Sequence, residues 1–331
     1  MVEQLEHAFP EATYHHLFGL ESQKDVAFAE EVVQALQQID RALLPPAGTH
    51  PMGELIKQGV KAAPRLIELA KTGDPLEMDD ALDALAHILV YEPAADDVVL
   101  ELRGMLEQEE DPERRGVIAK LLAMGLDEGF LTEQIKRLAD DDPGVVATAA
   151  RLLGFGRYAP AVKVLRELVS PDRIYESRYV IWALGETASP EAIPTLEHCL
   201  AQGFRTVDCM IALGKIGMVT SIPKLTPMIV DGVEEQRDAA YRALAMILDK
   251  NREQVARVPD LQRELSGLIQ TQLGDPQLKL SGSTRFHMCL CLARLGQKLD
   301  PAGVRRILKI KIGEQEAGAM ASYFVNRGGK K

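Results

Sequence analysis

The chain has 331 residues and a net charge of −11, with 46% apolar and 5% aromatic residues. This composition suits the packing of Leu-, Ala- and Val-rich helices better than it suits a sheet protein. No apolar run approaches the roughly 18 residues of a membrane-spanning helix, and the acidic N-terminus lacks the pattern of a signal peptide. We therefore expect a cytoplasmic protein that does not enter the membrane.

Residues 1–50 are predicted to form an N-terminal helical cap. Residues 25–44 place apolar side chains on one helical face, and Pro45 and Pro46 end that helix. Residues 51–313 are predicted to form an array of helical hairpins. Each hairpin consists of an apolar stripe, a short turn and a second apolar stripe.

The middle of the array repeats one pattern. Alignment of three segments places Leu153, Leu184 and Leu213 at the same position, at steps of 31 and 29 residues. Leu122 and Leu244 extend this register by 31 residues in each direction. A step of this size is typical of stacked helical repeats. The sequence therefore predicts an all-α right-handed superhelix, a solenoid of about seven or eight helical hairpins.

The register slips towards the C-terminus. The leucine comparable to Leu244 is Leu292, which follows 48 residues later. We place the extra residues in an irregular insertion near 249–283, either as longer helices or as an excursion loop. Insertions in solenoids project from one face and are often functional. Residues 314–331 are expected to form a C-terminal cap helix and a basic tail.

Four segments carry the repeated pattern: Ala183-Leu184-Gly185-Glu186, Ser189 to Leu196, Ala212-Leu213-Gly214 and Ile222-Pro223-Lys224-Leu225. On these residues the chain resembles the HEAT repeats, in particular the bacterial subgroup named after phycobilisome lyases. The resemblance implies a fold and a habit of binding. It does not transfer one function, because the family includes scaffolds, lyases and repair enzymes.

No pattern of catalytic or metal-binding residues stands out. Cys199, Cys209, Cys289 and Cys291 lie on or beside apolar helical stripes, where we assign them to packing. The Cys-x-Cys spacing lacks the two-residue spacer of a redox or zinc motif. The chain also has no His-Glu dipeptide of the kind that HEAT-like di-iron hydroxylases carry. The sequence thus predicts no catalytic residue, no metal site and no cofactor.

Other local patterns are interpreted as structural. Trp182 lies within an apolar stripe and is expected in the core. Gly154-Phe155-Gly156 is interpreted as an inter-helix turn with a left-handed glycine at the helix C-terminus. The acidic runs at 107–111 and 140–142 are expected at helix ends and N-caps.

Charge is distributed unevenly along the chain. Residues 1–145 carry 12 basic and 30 acidic residues, 146–296 carry 18 and 16, and 297–331 carry 8 and 3. The acidic first part and the basic end favour salt-sensitive self-association. The alternative is that the charge only keeps the protein soluble.

For function, the sequence favours a non-enzymatic scaffold or adaptor that binds a protein partner of unknown identity along the concave face of the solenoid. The subgroup resemblance implies an alternative, a bilin lyase or lyase-like chaperone. A further alternative is a HEAT-like DNA glycosylase. The net negative charge and the single tryptophan argue against nucleic acid as a partner.

The expected partner-binding residues lie on the aligned second helices. Positions between the inward-facing apolar residues point away from the core. In solenoids of this family the second helices line the concave side, so these positions should form one polar strip. Its residues are Lys163, Arg166, Glu167, Glu197, His198, Lys224 and Thr226. The alternative is a solvated face without a partner.

Overall fold

The computed structural model describes residues 52–89, 92, 94–309, 317, 318, 320, 321 and 324. The predicted cap at 1–50 lies outside the described residues, as does most of the predicted C-terminal cap and tail at 314–331. The described residues contain seventeen α-helices and no strand, which confirms the predicted all-α repeat class. They divide after Thr195 into two compact units, here named the first unit (52–195) and the second unit (196–324).

The first unit consists of stacked helical hairpins. Its helices are α1 Gly53–Ile56, α2 Ala63–Thr72, α3 Pro75–Leu89, α4 Asp96–Gln108, α5 Pro112–Met124, α6 Glu128–Arg137, α7 Pro143–Phe155, α8 Val162–Leu168, α9 Ile174–Glu186 and the start of α10 Ile193–Ala201. The first helices of the hairpins, α3, α5, α7 and α9, pack one on the next. The second helices α4, α6 and α8 pack beside them.

The second unit continues the same alternation. After the end of α10 it contains α11 Thr206–Ile216, α12 Ile222–Val230, α13 Glu234–Lys250, α14 Arg252–Ala256, α15 Pro259–Gly274, α16 Gly282–Arg294 and α17 Pro301–Leu308. Residues 249–283 therefore comprise the end of a long helix, the short helix α14, a second long helix, the segment 275–281 and the first two residues of α16. No helix in the described part of the chain has the length and hydropathy of a membrane-spanning segment.

The register of leucines explains the stacking. Leu122, Leu153, Leu184, Leu213 and Leu244 are all fully buried, one in each of five successive first helices. Burial of each such side chain contributes about 1.5–3 kcal/mol. The described residues contain seven first helices, each followed by a second helix, in agreement with the predicted number of hairpins.

An Asp-Pro dipeptide begins several helices. The side chains of Asp111, Asp142 and Asp300 accept hydrogen bonds from backbone N–H groups in the first turns of α5, α7 and α17, at 2.8, 2.7 and 2.6 Å. The proline that follows each aspartate needs no hydrogen-bond acceptor for its nitrogen at this position. Asp111 and Asp142 belong to the two acidic runs, so the N-cap interpretation of these runs is confirmed.

The turn after α7 differs in one respect from the prediction. Gly154 lies inside the helix and Gly156 is right-handed, whereas Arg157 adopts the left-handed conformation with φ of 49°. Leu126 and Ala188 do so at the equivalent positions of the neighbouring hairpins. The glycines serve close packing instead. A methyl group at Gly156 would lie 2.8 Å from a carbonyl oxygen of α5.

Candidate functional site

The predicted polar strip is represented in the first unit by three residues of α8. Lys163 and Glu167 are exposed and Arg166 is half-buried, while Val162 and Leu165 on the same helix are buried. The Arg166 Nε–H group donates a hydrogen bond to Thr195 Oγ1 at 3.1 Å, which links α8 to α10. The helical face therefore divides as expected, and one member of the strip already contributes to packing.

The other four residues of the strip belong to the second unit. His198 and Lys224 are exposed, while Glu197 and Thr226 are half-buried. The Thr226 hydroxyl donates to the carbonyl oxygen of Ile222 at 3.2 Å, within its own helix. The structure thus places three strip residues on one helix of the first unit and the other four on two helices of the second unit. A continuous strip across both units stays a prediction.

A second surface lies on the first helices of the first unit. Here we name it the aromatic ridge, defined by six side chains from α5, α7 and α9: Lys120, Arg151, Phe155, Tyr175, Tyr179 and Trp182. The Phe155 and Trp182 rings meet edge to face with centroids 5.1 Å apart, and the Tyr175 and Tyr179 rings meet similarly at 5.4 Å. The register brings them together, because Lys120, Arg151 and Trp182 are 31 residues apart.

Cations lie against the rings of the aromatic ridge. Lys120 Nζ is 5.2 Å from the centroid of the Phe155 ring, and Arg151 Cζ is 5.9 Å from the centroid of the Tyr179 ring. Both distances lie within the range in which a cation is attracted to an aromatic face. A hydrogen bond with Tyr179 raises the pKa of Tyr175 above its ordinary value. These contacts join three successive helices into one surface.

The aromatic ridge is partly open to solvent. The Tyr175 side chain is 54% exposed, and the preceding Ile174 is 61% exposed. Arg151 is exposed, as is the neighbouring Arg178 on α9. A tyrosine and an isoleucine exposed side by side, next to arginines, form an apolar surface with a charged border. Such surfaces mark sites of interaction more often than scattered apolar residues do.

Trp182 corrects the prediction from sequence. It was expected in the core, but it is half-buried and forms part of the aromatic ridge. Its ring lies over Gly154, where any added methyl group would overlap it. The apolar stripe of α9 is wide enough that its edge meets solvent. The 31-residue register, which places Trp182 beside Arg151, is the signal that indicates this position from sequence.

The cysteines are buried free thiols, as the sequence predicts. Burial raises the pKa of Cys199, Cys209, Cys289 and Cys291 above the ordinary value for a thiol. A raised pKa removes the thiolate that nucleophilic or metal-binding chemistry requires. Among the residues that the structure describes, no three His, Cys, Asp or Glu side chains are grouped to hold a metal ion.

A buried histidine and a half-buried aspartate join α13 to α16 in the second unit. His287 is fully buried, and its Nδ1 lies 3.6 Å from Asp238 Oδ1. The Thr284 hydroxyl donates to the same carboxylate at 3.1 Å. Burial alone would raise the pKa of Asp238, but its interactions with His287, Ser283 and Thr284 outweigh burial and hold it below the ordinary value. The group fixes the contact between two stacked helices.

Comparison with protein families finds a match in the middle of the chain. Residues 131–207 match the family model for HEAT repeats. The matched HEAT segment extends from α6 to the start of α11 and contains every aromatic residue of the ridge. No curated protein matches the chain.

Several solved structures are similar to this chain. An engineered protein of the Northeast Structural Genomics Consortium is 18% identical, with 99% of this chain and 89% of that chain covered and a TM-score of 0.39. The CpcE–CpcF complex of phycocyanin lyase from Nostoc sp. PCC7120 is 19% identical, with 72% and 98% covered and a TM-score of 0.41. UNC-45 from Drosophila melanogaster is 14% identical, with 97% and 51% covered and a TM-score of 0.34. At these values the similarities assign no function.

Proposed function

We propose that the protein is a non-enzymatic cytoplasmic scaffold or adaptor that binds another protein through the aromatic ridge. The observation that supports this proposal is the partly exposed group of Tyr175, Tyr179 and Trp182 beside Arg151 and Arg178. Tyrosine, tryptophan and arginine are enriched in protein interfaces and contribute most of the binding energy there. HEAT-like arrays present extended surfaces of this kind to partners.

The buried leucines beneath the aromatic ridge favour tight binding. Leu122, Leu153 and Leu184 are fully buried below it, on the same three helices that carry the ridge. The rings are further fixed by contacts with each other and with Lys120 and Arg151. A surface that is ordered before binding loses less conformational entropy when a partner binds.

The polar strip remains a second proposed contact. Its residues are Lys163, Arg166, Glu167, Glu197, His198, Lys224 and Thr226. Reversal of charge at Arg166, Glu197 and Lys224 tests it. We expect this triple variant to capture less partner. Reversal of the exposed Lys224 should change stability by about 0.5 kcal/mol or less, whereas reversal of Arg166 also removes its hydrogen bond to Thr195 and should cost about 0.5–1.5 kcal/mol. A partner that binds the triple variant as it binds the wild type excludes the strip. The insertion near 249–283 is then the next surface to test.

Comparative capture tests the aromatic ridge. Three tagged proteins are incubated with extract of the native host. They are the wild type, a ridge variant with Tyr175→Ala and Arg178→Ala, and a control with Leu100→Ala and Arg137→Ala. The control changes one exposed apolar residue and one exposed arginine in the same unit, away from the ridge. We expect one or more proteins to be captured by the wild type and the control and to be reduced about tenfold or more with the ridge variant. Equal capture by all three proteins would exclude the proposal.

The bilin lyase or lyase-like chaperone stays an alternative that the sequence resemblance implies. Incubation of the protein with a bilin and its apoprotein tests it directly. Covalent attachment or bilin binding, followed by absorbance, would support the alternative. A spectrum unchanged from that of the free bilin would remove it.

A further inference from the structure

We propose that the aromatic ridge binds an acidic segment of the partner protein, in which carboxylates alternate with apolar side chains. This inference rests on the proposed function and adds the chemistry of the partner. It follows from the cations of the ridge and from the distribution of charged residues around it.

The cations of the aromatic ridge differ from four other arginines of the first unit. Arg65, Arg103, Arg114 and Arg173 each pair with a carboxylate. Within the described ranges, Lys120, Arg151 and the neighbouring Arg178 form no ion pair. Contact with an aromatic ring holds a cation in place but leaves its N–H donors available. The ridge therefore presents fixed positive charge that lacks an anionic partner.

Arginine side chains bind carboxylates through two parallel hydrogen bonds, which give both strength and direction. Arg151 and Arg178 are exposed on adjacent helices, with Tyr179 beside Arg151. A ligand that matches this arrangement carries carboxylates next to apolar or aromatic side chains. The carboxylates meet the guanidinium groups, and the apolar side chains cover Ile174, Tyr175 and Trp182.

The surroundings favour a protein segment over a nucleic acid. Residues 52–142 of the first unit contain 22 acidic and 10 basic residues, whereas residues 143–195 contain 5 and 6. A continuous phosphate backbone would extend from the ridge over the acidic part and be repelled there. A short peptide with a few carboxylates can confine its negative charge to the ridge.

Selection from a displayed library of random short peptides tests this inference. The full-length protein and a variant with Arg151→Gln and Arg178→Gln are used in parallel as targets. We expect the wild type to enrich peptides that combine Asp or Glu with apolar residues, and the variant to lose this enrichment. A pool that is neutral, basic or not enriched over the starting library overturns the inference.

Fluorescence anisotropy with one selected acidic peptide gives the quantitative test. We expect its amide counterpart, with Asn and Gln in place of Asp and Glu, to bind about tenfold more weakly or worse, because each charged hydrogen bond contributes that much or more. The Arg151→Gln and Arg178→Gln variant should show the same loss, and the Leu100→Ala and Arg137→Ala control should bind normally. Equal binding of the amide counterpart, or tighter binding of labelled oligothymidine that displaces the peptide, overturns the inference.

The two proposals fail differently. Loss of a captured protein with the Tyr175→Ala and Arg178→Ala variant, together with peptides that are not acidic, leaves the scaffold function standing and removes the acidic partner. Equal capture of all proteins by that variant and the wild type removes both.

Discussion

Asp127 has two roles at the start of α6. Its carboxylate accepts a hydrogen bond from the backbone N–H of Phe130 at 3.0 Å and so caps the helix. It also accepts two hydrogen bonds from the guanidinium group of Arg103 on α4. The Asp127 side chain is almost completely buried. The hydrogen bonds from Arg103 are the main reason that the pKa of Asp127 lies below its ordinary value.

Replacement of Asp127 by Asn should lower the free energy of unfolding by about 1.5–3 kcal/mol at neutral pH, because the hydrogen bonds to a charged group are lost. A folded-state pKa below the unfolded value stabilises the protein above the unfolded pKa, near 3.9, and this contribution is lost as the pH falls through the folded pKa. The difference between the variant and the wild type should therefore shrink in acid.

Urea unfolding followed by circular dichroism at several pH values checks this prediction. Glu128→Gln is the matched control, since Glu128 is an exposed acidic residue in the first turn of the same helix. We expect the control to change stability by about 0.5 kcal/mol or less at every pH. A constant difference between Asp127→Asn and the wild type from neutral to acid pH would contradict the role assigned to the ion pair.

At the scale of the helices, two glycines set how closely the first helices approach each other. A methyl group at Gly214 of α11 would lie 2.7 Å from the Ala243 Cα atom of α13. Gly154 of α7 has the corresponding role against α9, where its added methyl group would lie 3.0 Å from the Ala183 Cα atom. Backbone atoms cannot move aside as the end of a side chain can.

Gly214→Ala should therefore destabilise the protein by about 1–3 kcal/mol, the usual effect of overpacking. Gly267→Ala is the matched control in α15 of the same unit, because its added methyl group meets nothing within 4 Å. The control should gain about 0.5–1 kcal/mol, since alanine favours the helix. Thermal unfolding distinguishes the two. A gain in stability for both variants would show that the helices do not touch at Gly214.

The elements differ in how well the sequence predicts them. The leucine register is a periodic signal and the Asp-Pro helix starts are local signals, so the hairpins, the buried leucines and the N-caps follow from them. The aromatic ridge does not follow from one helix. Phe155 and Trp182 lie on different helices, and their contact depends on the distance that Gly154 permits. For the same reason the core assignment of Trp182 was wrong, since a wide apolar stripe does not reveal which of its edges meets solvent.

The ends of two helices explain why the apolar stripe beside the polar strip is not buried along its whole length. Val169 and Ile193 continue the apolar stripe of Leu165 and Leu196, but both are only half-buried. Val169 is the residue after the last turn of α8, and Ile193 is the first residue of α10. Helix ends project less side-chain surface into the core than helix centres do. A periodic pattern carries no information about where a helix ends.

At the scale of the whole molecule, the charge distribution makes self-association a separate prediction. Residues 1–145 have a net charge of −18 and residues 297–331 have a net charge of +5. If opposite ends attract, light scattering at low salt should give a mass above the 36.4 kDa of one chain. That mass should return to the monomer at high salt, because ions screen attraction beyond about one Debye length. A monomer at both salt concentrations would contradict self-association and leave solubility as the role of the charge.

Site-specific photo-crosslinking in the native host tests the scaffold proposal most directly. A photoreactive benzoylphenylalanine replaces Tyr175, which is 54% exposed on the aromatic ridge, or Leu100, which is 70% exposed elsewhere in the first unit. We predict a light-dependent adduct from position 175 that contains a second protein, and at most a trace of that adduct from position 100. Equal yields of the adduct from both positions, or none from position 175, would contradict the account.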